Sequence, residues 1–366
     1  MPATQTVDFC ILGGGIAGTV LALELEARGS RVRLIDAGEP DKTASRVAAG
    51  ILNPVTGKRL VKSWRAAELL AAARQWYPRM EARLGASFFR SIEIQRMYRD
   101  ASEIHRWQKR QGDPEYRAFL GEATAAGGLH PALQDRHGSF SITQAAVLET
   151  EDFLEAAHRY LRDAHVLQHA AMPYAEVKPG AATVSWKNLR AGCLIFCEGW
   201  RLGTNPWFDW VPLEPAKGEV LEVETSLELP PKVFNREKWL LPLENGRLRL
   251  GSTWAWEHLD TPPSPQGRTA LLAGLRAMVD LPETAPRVVR HRAGVRPASK
   301  DRLPVVGRHP EHRCLAVMNG LGSKGTLYAP FLAGRLADQL IDEMALPEAV
   351  EVRRYAQRIE KTDIPR

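Results

Sequence analysis

The chain has 366 residues, 44% hydrophobic and 25% charged, the composition of a soluble globular protein with ample core and room for one large or two ordinary domains. Its 49 basic and 43 acidic residues leave a net charge of +6, too mild an excess to mark a nucleic-acid binder by itself. The N-terminus MPATQTVDFC has no basic segment leading into an apolar core, and no apolar run approaches the roughly 18 residues that cross a membrane, so a cytoplasmic protein is expected.

The first predicted element is an apolar strand, VDFCIL, from Val7. It runs into three glycines, Gly13, Gly15 and Gly18, in G-x-G-x-x-G spacing. A helix follows over 16–28, with Ile16, Val20, Leu23 and Ala27 at helical spacing. A second strand, 31–35, ends at Asp36. This β-α-β unit is a dinucleotide fingerprint: the glycines allow a tight turn and close approach to a pyrophosphate, and the acid can hold a ribose hydroxyl. The helix N-terminus offers free N–H groups and partial positive charge to phosphate. The loop 37–63 is too long for a simple connection, and loops of that length are usually functional.

An alanine-rich helix is expected over 64–84, with Pro78 as a candidate kink. Residues 88–147 read as a different module, with a short strand at 92–98 and a turn-rich stretch at 125–139. A helix at 151–164 opens with acids in its first turn, which suits the helix dipole. Strand candidates at 165–169, 182–186 and 193–199 then return to the first domain. The apolar CLIFC suits a strand buried on both faces of a parallel sheet, and Gly199 ends it where backbone can approach a ligand.

The second module resumes at 215–292. KGEVLEVE (217–224) alternates like a half-buried strand, and residues 238–253 read as a hairpin turning at Asn245-Gly246. A helix is expected over 268–279. Trp254 and Trp256 sit at alternate positions, either as a wall of the substrate cavity or as core. The last section holds a strand, the glycine-rich NGLGSKG and a closing helix over 331–344. That loop is a second place where N–H groups at a helix start can meet a ligand.

The four cysteines lie in apolar strand-like runs without C-x-x-C pairing, so each is read as a small buried hydrophobe. The histidines have no metal-ligand spacing, and no metal is expected. Lys58, Arg59 and Lys62 cluster in the loop after 51–54; they either favour an acidic substrate or form a solvated basic surface.

Four ordered blocks, GGGIAG (13–18), ASRVAAGILNP (44–54), AGVRPASKDRLPVVG (293–307) and NGLGSKGTLYAP (319–330), carry a resemblance across essentially the whole chain. It resembles the D-amino-acid oxidase superfamily of FAD-dependent oxidoreductases, especially the glycine-oxidase-like branch. It is also similar to the FAD domain of the bifunctional tRNA wobble-uridine modification enzymes.

The resemblance implies an α/β Rossmann-like FAD-binding domain (1–87, 148–214 and 293–366) with a parallel sheet. It is interleaved with a substrate domain (88–147 and 215–292) on a largely antiparallel sheet. Gly13, Gly15, Ile16, Ala17 and Gly18 would follow the pyrophosphate, and Asp36 with Ala37 the adenosine ribose. Ser45 and Arg46 would hold ribose or phosphate, and Ala48, Ala49, Gly50 and Ile51 would pass along the flavin. Gly199, Gly320, Gly322, Ser323 and Gly325 would complete the cofactor site. Lys324 would add positive charge near the reduced flavin. Gly294 stands where some members carry a flavin-linked cysteine, so non-covalent FAD is expected.

Arg296, in GVRP, sits where amino-acid oxidases of the family place the arginine for the substrate carboxylate. Its planar fork suits two parallel hydrogen bonds. The competing reading is an arginine salt-bridged at a sheet edge. With Trp254 as a substrate-wall residue, the implied activity is oxidation of an amine or amino acid, with hydride passing to the flavin and the imine hydrolysing in water. Oxygen or another acceptor would reoxidise the flavin. Two alternatives are oxidation of a carboxymethylaminomethyl group on tRNA and a flavin-binding subunit whose FAD is structural or passes electrons to a partner.

Overall fold

The computed structural model describes residues 4–38, 43–243, 246–281 and 286–361, the last four of these through their backbone alone. Seven α-helices are described: α1 (Ile16–Ala27), α2 (Ala44–Val47), α3 (Ala66–Leu84), α4 (Ala101–Gln111), α5 (Thr150–Asp163), α6 (Pro265–Arg276) and α7 (Gly325–Asp342). None of the described helices is long and apolar enough to cross a membrane.

A largely parallel sheet forms the first layer. Its main path runs Leu167–His169, Val32–Asp36, Gln5–Leu12, Leu189–Phe196, Val184–Trp186, Lys178–Pro179, and Leu315–Asn319 also pairs with 189–196. The opening strand lies between two parallel partners, Ile11 opposite Leu34 and Ile195. Both its faces are covered, which explains the unbroken apolar run. Helix α1 is buried continuously from Ile16 to Leu25, and it packs against α5 and α7. Such burial, rather than an amphipathic stripe, makes it hydrophobic all round. On the other face Phe196, Leu202, Phe208, Trp210 and Val305 form a second core.

The second large sheet is mostly antiparallel. Its strand order is Arg287–Arg296, Ala216–Glu224, Arg247–Gly251, Trp239–Pro242, Val233–Asn235, Ile94–Met97, Ser139–Ile142, Leu120–Thr124. One pair, 94–97 with 233–235, is parallel and joins distant stretches of chain. Leu271 and Leu275 of α6 pack on Leu221, Val223, Leu248 and Leu250.

Strand 216–224 differs from the half-buried strand that its alternation predicts. All but its last residue are buried, because α6 covers the face of Leu221 and Val223 while Gly218 and Val220 line a cavity on the other. The hairpin 239–251 has its predicted antiparallel pairing, Pro242 opposite Leu248; Asn245, half of its predicted turn, lies outside the described residues. Helix α3 runs through Pro78. All four cysteines are buried and free, and the described residues hold no cluster of metal-ligating side chains.

Candidate active site

A large cavity, about 1230 Å³, extends from the end of the first parallel strand to the antiparallel sheet. At one end Gly13, Gly15, Ile16 and Ala17 line it beside Asp36 and Ala37. Gly13 has φ of +108°, and a Cβ there would meet the Cys197 carbonyl oxygen at 2.5 Å. Only glycine lets the turn sit against the neighbouring strand. The Asp36 carboxylate accepts hydrogen bonds from the N–H groups of Gly14 at 2.6 Å and Gly38 at 2.9 Å. Ser45 Oγ accepts from Ile16 N at 2.9 Å, pinning α2 to the start of α1. No acid lies in the first turn of α1 itself; the Asp36 carboxylate reaches its positive end from the neighbouring strand.

In the middle, Ser45, Ala48, Ala49, Gly50 and Ile51 form one wall, and Gly199, Gly322, Ser323 and Gly325 also line the cavity. Two further side chains, not singled out from the sequence, lie behind the glycine turn and on the cavity wall. His158 on α5 lies 2.9 Å from the Gly14 carbonyl oxygen and 3.1 Å from Thr19 Oγ1, and burial lowers its pKa. Glu198 lines the cavity and accepts from Tyr174 at 2.7 Å and Asn205 at 2.8 Å; burial raises its pKa. Nothing in its local sequence marks His158, since its contacts span about 140 residues, whereas Glu198 directly precedes the expected Gly199.

Beyond this middle section lies Arg296, the last residue of the edge strand 287–296. Its Nη1 and Nη2 each donate to the Thr253 carbonyl at 3.2 Å, and its guanidinium lies 4.1 Å from the Trp254 ring centroid. No carboxylate among the described residues pairs with it. The arginine is only partly buried by area, and its accessible surface opens into the cavity that it lines. Loss of hydration there lowers its pKa to about 10, still charged at neutral pH.

Four expected cofactor residues do not line this cavity. A Cβ on Gly18 would lie 1.9 Å from the Gly13 carbonyl oxygen, so this glycine serves the turn's packing. Arg46 borders a small polar pocket with Glu149, Glu151 and Arg292. Gly320 packs behind the loop against Val305. Lys324 caps α7 and directs Nζ to Ser63 Oγ at 2.8 Å, where burial lowers its pKa to about 8.

Trp254 and Trp256 follow the end of strand 247–251 rather than sharing a strand face. They stack on one another with centroids 6.3 Å apart. At 49% and 63% exposed they are not core, and Trp254 alone lines the cavity. Of the basic loop, Lys58 lines the cavity and Lys62 pairs with Glu115 at 2.8 Å.

The fold is similar to that of glycine oxidase from Geobacillus kaustophilus, with a TM-score of 0.80, 20% identity and coverage of 94% of this chain and 96% of that one. In sequence the chain is 26% identical to a glycine oxidase of Pseudomonas aeruginosa over 90% of its own length and 93% of the relative's. It is also 29% identical to the tRNA 5-methylaminomethyl-2-thiouridine biosynthesis bifunctional protein MnmC of Aeromonas hydrophila, covering 96% of this chain and 58% of that one. Residues 8–339 match the family described as DAO, FAD dependent oxidoreductase. Cavity, glycine turn and whole-chain match thus agree: the chain belongs to the DAO family of FAD-dependent oxidoreductases.

Proposed function

We propose that the protein oxidises the C–N bond of an amine or amino acid bearing a carboxylate next to the reacting carbon. The observation that carries this reading is Arg296, a charged guanidinium on the cavity wall with carbonyl oxygens and an indole face for neighbours and no acid. A desolvated arginine without a counter-ion is costly, and a carboxylate accepting two parallel hydrogen bonds offsets that cost.

The residues at the other end fit FAD. The Gly13 turn leaves no room for a side chain, the α1 N-terminus has no acid in its first turn, and Asp36 stands beside it to hold a ribose. The wall 48–51 and the loop 322–325 would flank the flavin ring. Bound there, the flavin supplies the acceptor for hydride leaving the carbon that bears nitrogen. Arg296 orients that carbon by fixing its carboxylate, and Trp254 stacks on the guanidinium to hold the fork in place. The neutral amine supplies the lone pair that becomes the C=N bond, and water hydrolyses the imine.

A second reading, oxidation of a carboxymethylaminomethyl group on tRNA, is favoured by the exposed Trp254–Trp256 stack beside Arg296, since stacked indoles at a cavity mouth suit a base. Anaerobic flavin reduction across glycine derivatives, D-amino acids, N-methyl amino acids and modified tRNA separates the two. Bleaching by a small amine supports the first, and bleaching by tRNA alone supports the second. In Arg296→Ala, FAD should remain bound while carboxylate substrates lose turnover; unchanged turnover removes Arg296 from the site.

A further inference from the structure

The cavity continues past Arg296 across the antiparallel sheet. The Arg296 guanidinium lies over Gly218, where a Cβ would be 1.9 Å from Nη2, and the Trp239 indole lies over Gly251 in the same way. Val220, Val233 and Ile94 add an apolar floor. At its far side stand Arg96 and Arg99, both lining the cavity.

Four strand steps separate 216–224 from 94–97, about 19 Å at roughly 4.8 Å per step. Arg96 is buried and bonds Glu103 at 2.7 Å as well as the Asn235 carboxamide. Arg99 shares the same carboxylate, its Nε 3.6 Å from Oε2 and its backbone N–H donating to that oxygen at 2.9 Å. Two guanidiniums on one acid leave a positive charge uncompensated. Arg236, whose fork donates to the carbonyls of Gln134 and Ala277, adds to the potential. Glu237 also lines this end, but it is exposed and screened by water.

We infer that Arg99, supported by Arg96, forms a second anion subsite across the apolar floor from Arg296, so that the substrate is an elongated amine ending in a distal carboxylate or phosphate. The inference rests on the Arg296 reading above. A single carboxylate satisfies the Arg296 side, and the pair Arg96 and Arg99, lining the cavity with one carboxylate between them, marks the other. An aliphatic or planar spacer would lie on Trp239 and the neighbouring valines.

The test is a flavin absorbance titration of the FAD-loaded protein with α,ω-alkanedioates of increasing length, each paired with its monomethyl ester. Short diacids should bind like their monoesters. Once the chain spans the floor, the diacid should bind at least tenfold tighter. Arg99→Gln should bring that ratio close to one, and Arg99→Lys should retain most of it. Replacing the distal carboxylate by phosphonate supports the subsite in either order of affinity and identifies its preferred anion. A ratio near one at every length, or a full gain in Arg99→Gln, overturns the subsite while monoester binding upholds Arg296. If no carboxylate of any length perturbs the flavin, the Arg296 reading fails with it.

Discussion

Arg296 shows what a residue's type conveys and what its surroundings add. The block GVRP marks the position, but what distinguishes it is the Thr253 carbonyl and the Trp254 face, both supplied by the segment after strand 247–251, with no described carboxylate paired to it. Arg296→Lys should keep the charge and lose the fork. A lost charge-assisted hydrogen bond costs about 1.5–3 kcal/mol, so carboxylate ligands should weaken by about 10- to 100-fold while FAD is retained, as read by flavin absorbance titration. Lys324 was legible as a lysine in a glycine-rich loop, but its direction was not, because Ser63 is distant in sequence. Burial lowers its pKa from 10.5 to about 8, so between these values the unfolded chain binds more protons. Stability should therefore rise with pH through that window. Denaturant melts at pH 7.5 and 10 should show the rise in the native protein and a smaller one in Lys324→Met.

The elements best read from sequence were those set by local pattern: the opening β-α-β unit, the long helix α3, helix α5 and the hairpin 239–251. The segment 44–51 was legible as a functional loop, but its anchors come from elsewhere. Gly50 has φ of +69°, and a Cβ there would lie 1.7 Å from the Leu148 carbonyl oxygen. Arg292 donates to the Arg46 carbonyl at 2.9 Å and to Glu151 at 2.6 Å. Together these contacts hold the loop between α5 and the edge of the antiparallel sheet. Gly50→Ala combines a disfavoured backbone conformation with a clash against backbone. It should be purified with little or no FAD, measured as the ratio of 450 to 280 nm absorbance, and normal flavin content would contradict the role assigned to this wall.

At the scale of the molecule, one cavity joins two sheets of different kinds, so a cofactor spanning it contacts both the glycine turn and the second layer. A ligand that binds the folded state alone adds about 2.7 kcal/mol at 100 times its Kd. Stripping FAD should therefore lower Tm, and adding it back should restore Tm in proportion to log concentration, as differential scanning fluorimetry would show. The sequence by itself determined the dinucleotide turn and the α/β character, because tight turns, helical periodicity and buried parallel strands restrict residue choice locally, and its GVRP block singled out Arg296. Only the tertiary structure decided that no described acid pairs with Arg296, that Lys324 turns to Ser63 and that Arg96 and Arg99 share one carboxylate across the sheet from Arg296. Those facts depend on pairings between distant strands, such as 94–97 with 233–235, and no local pattern encodes which strands become neighbours.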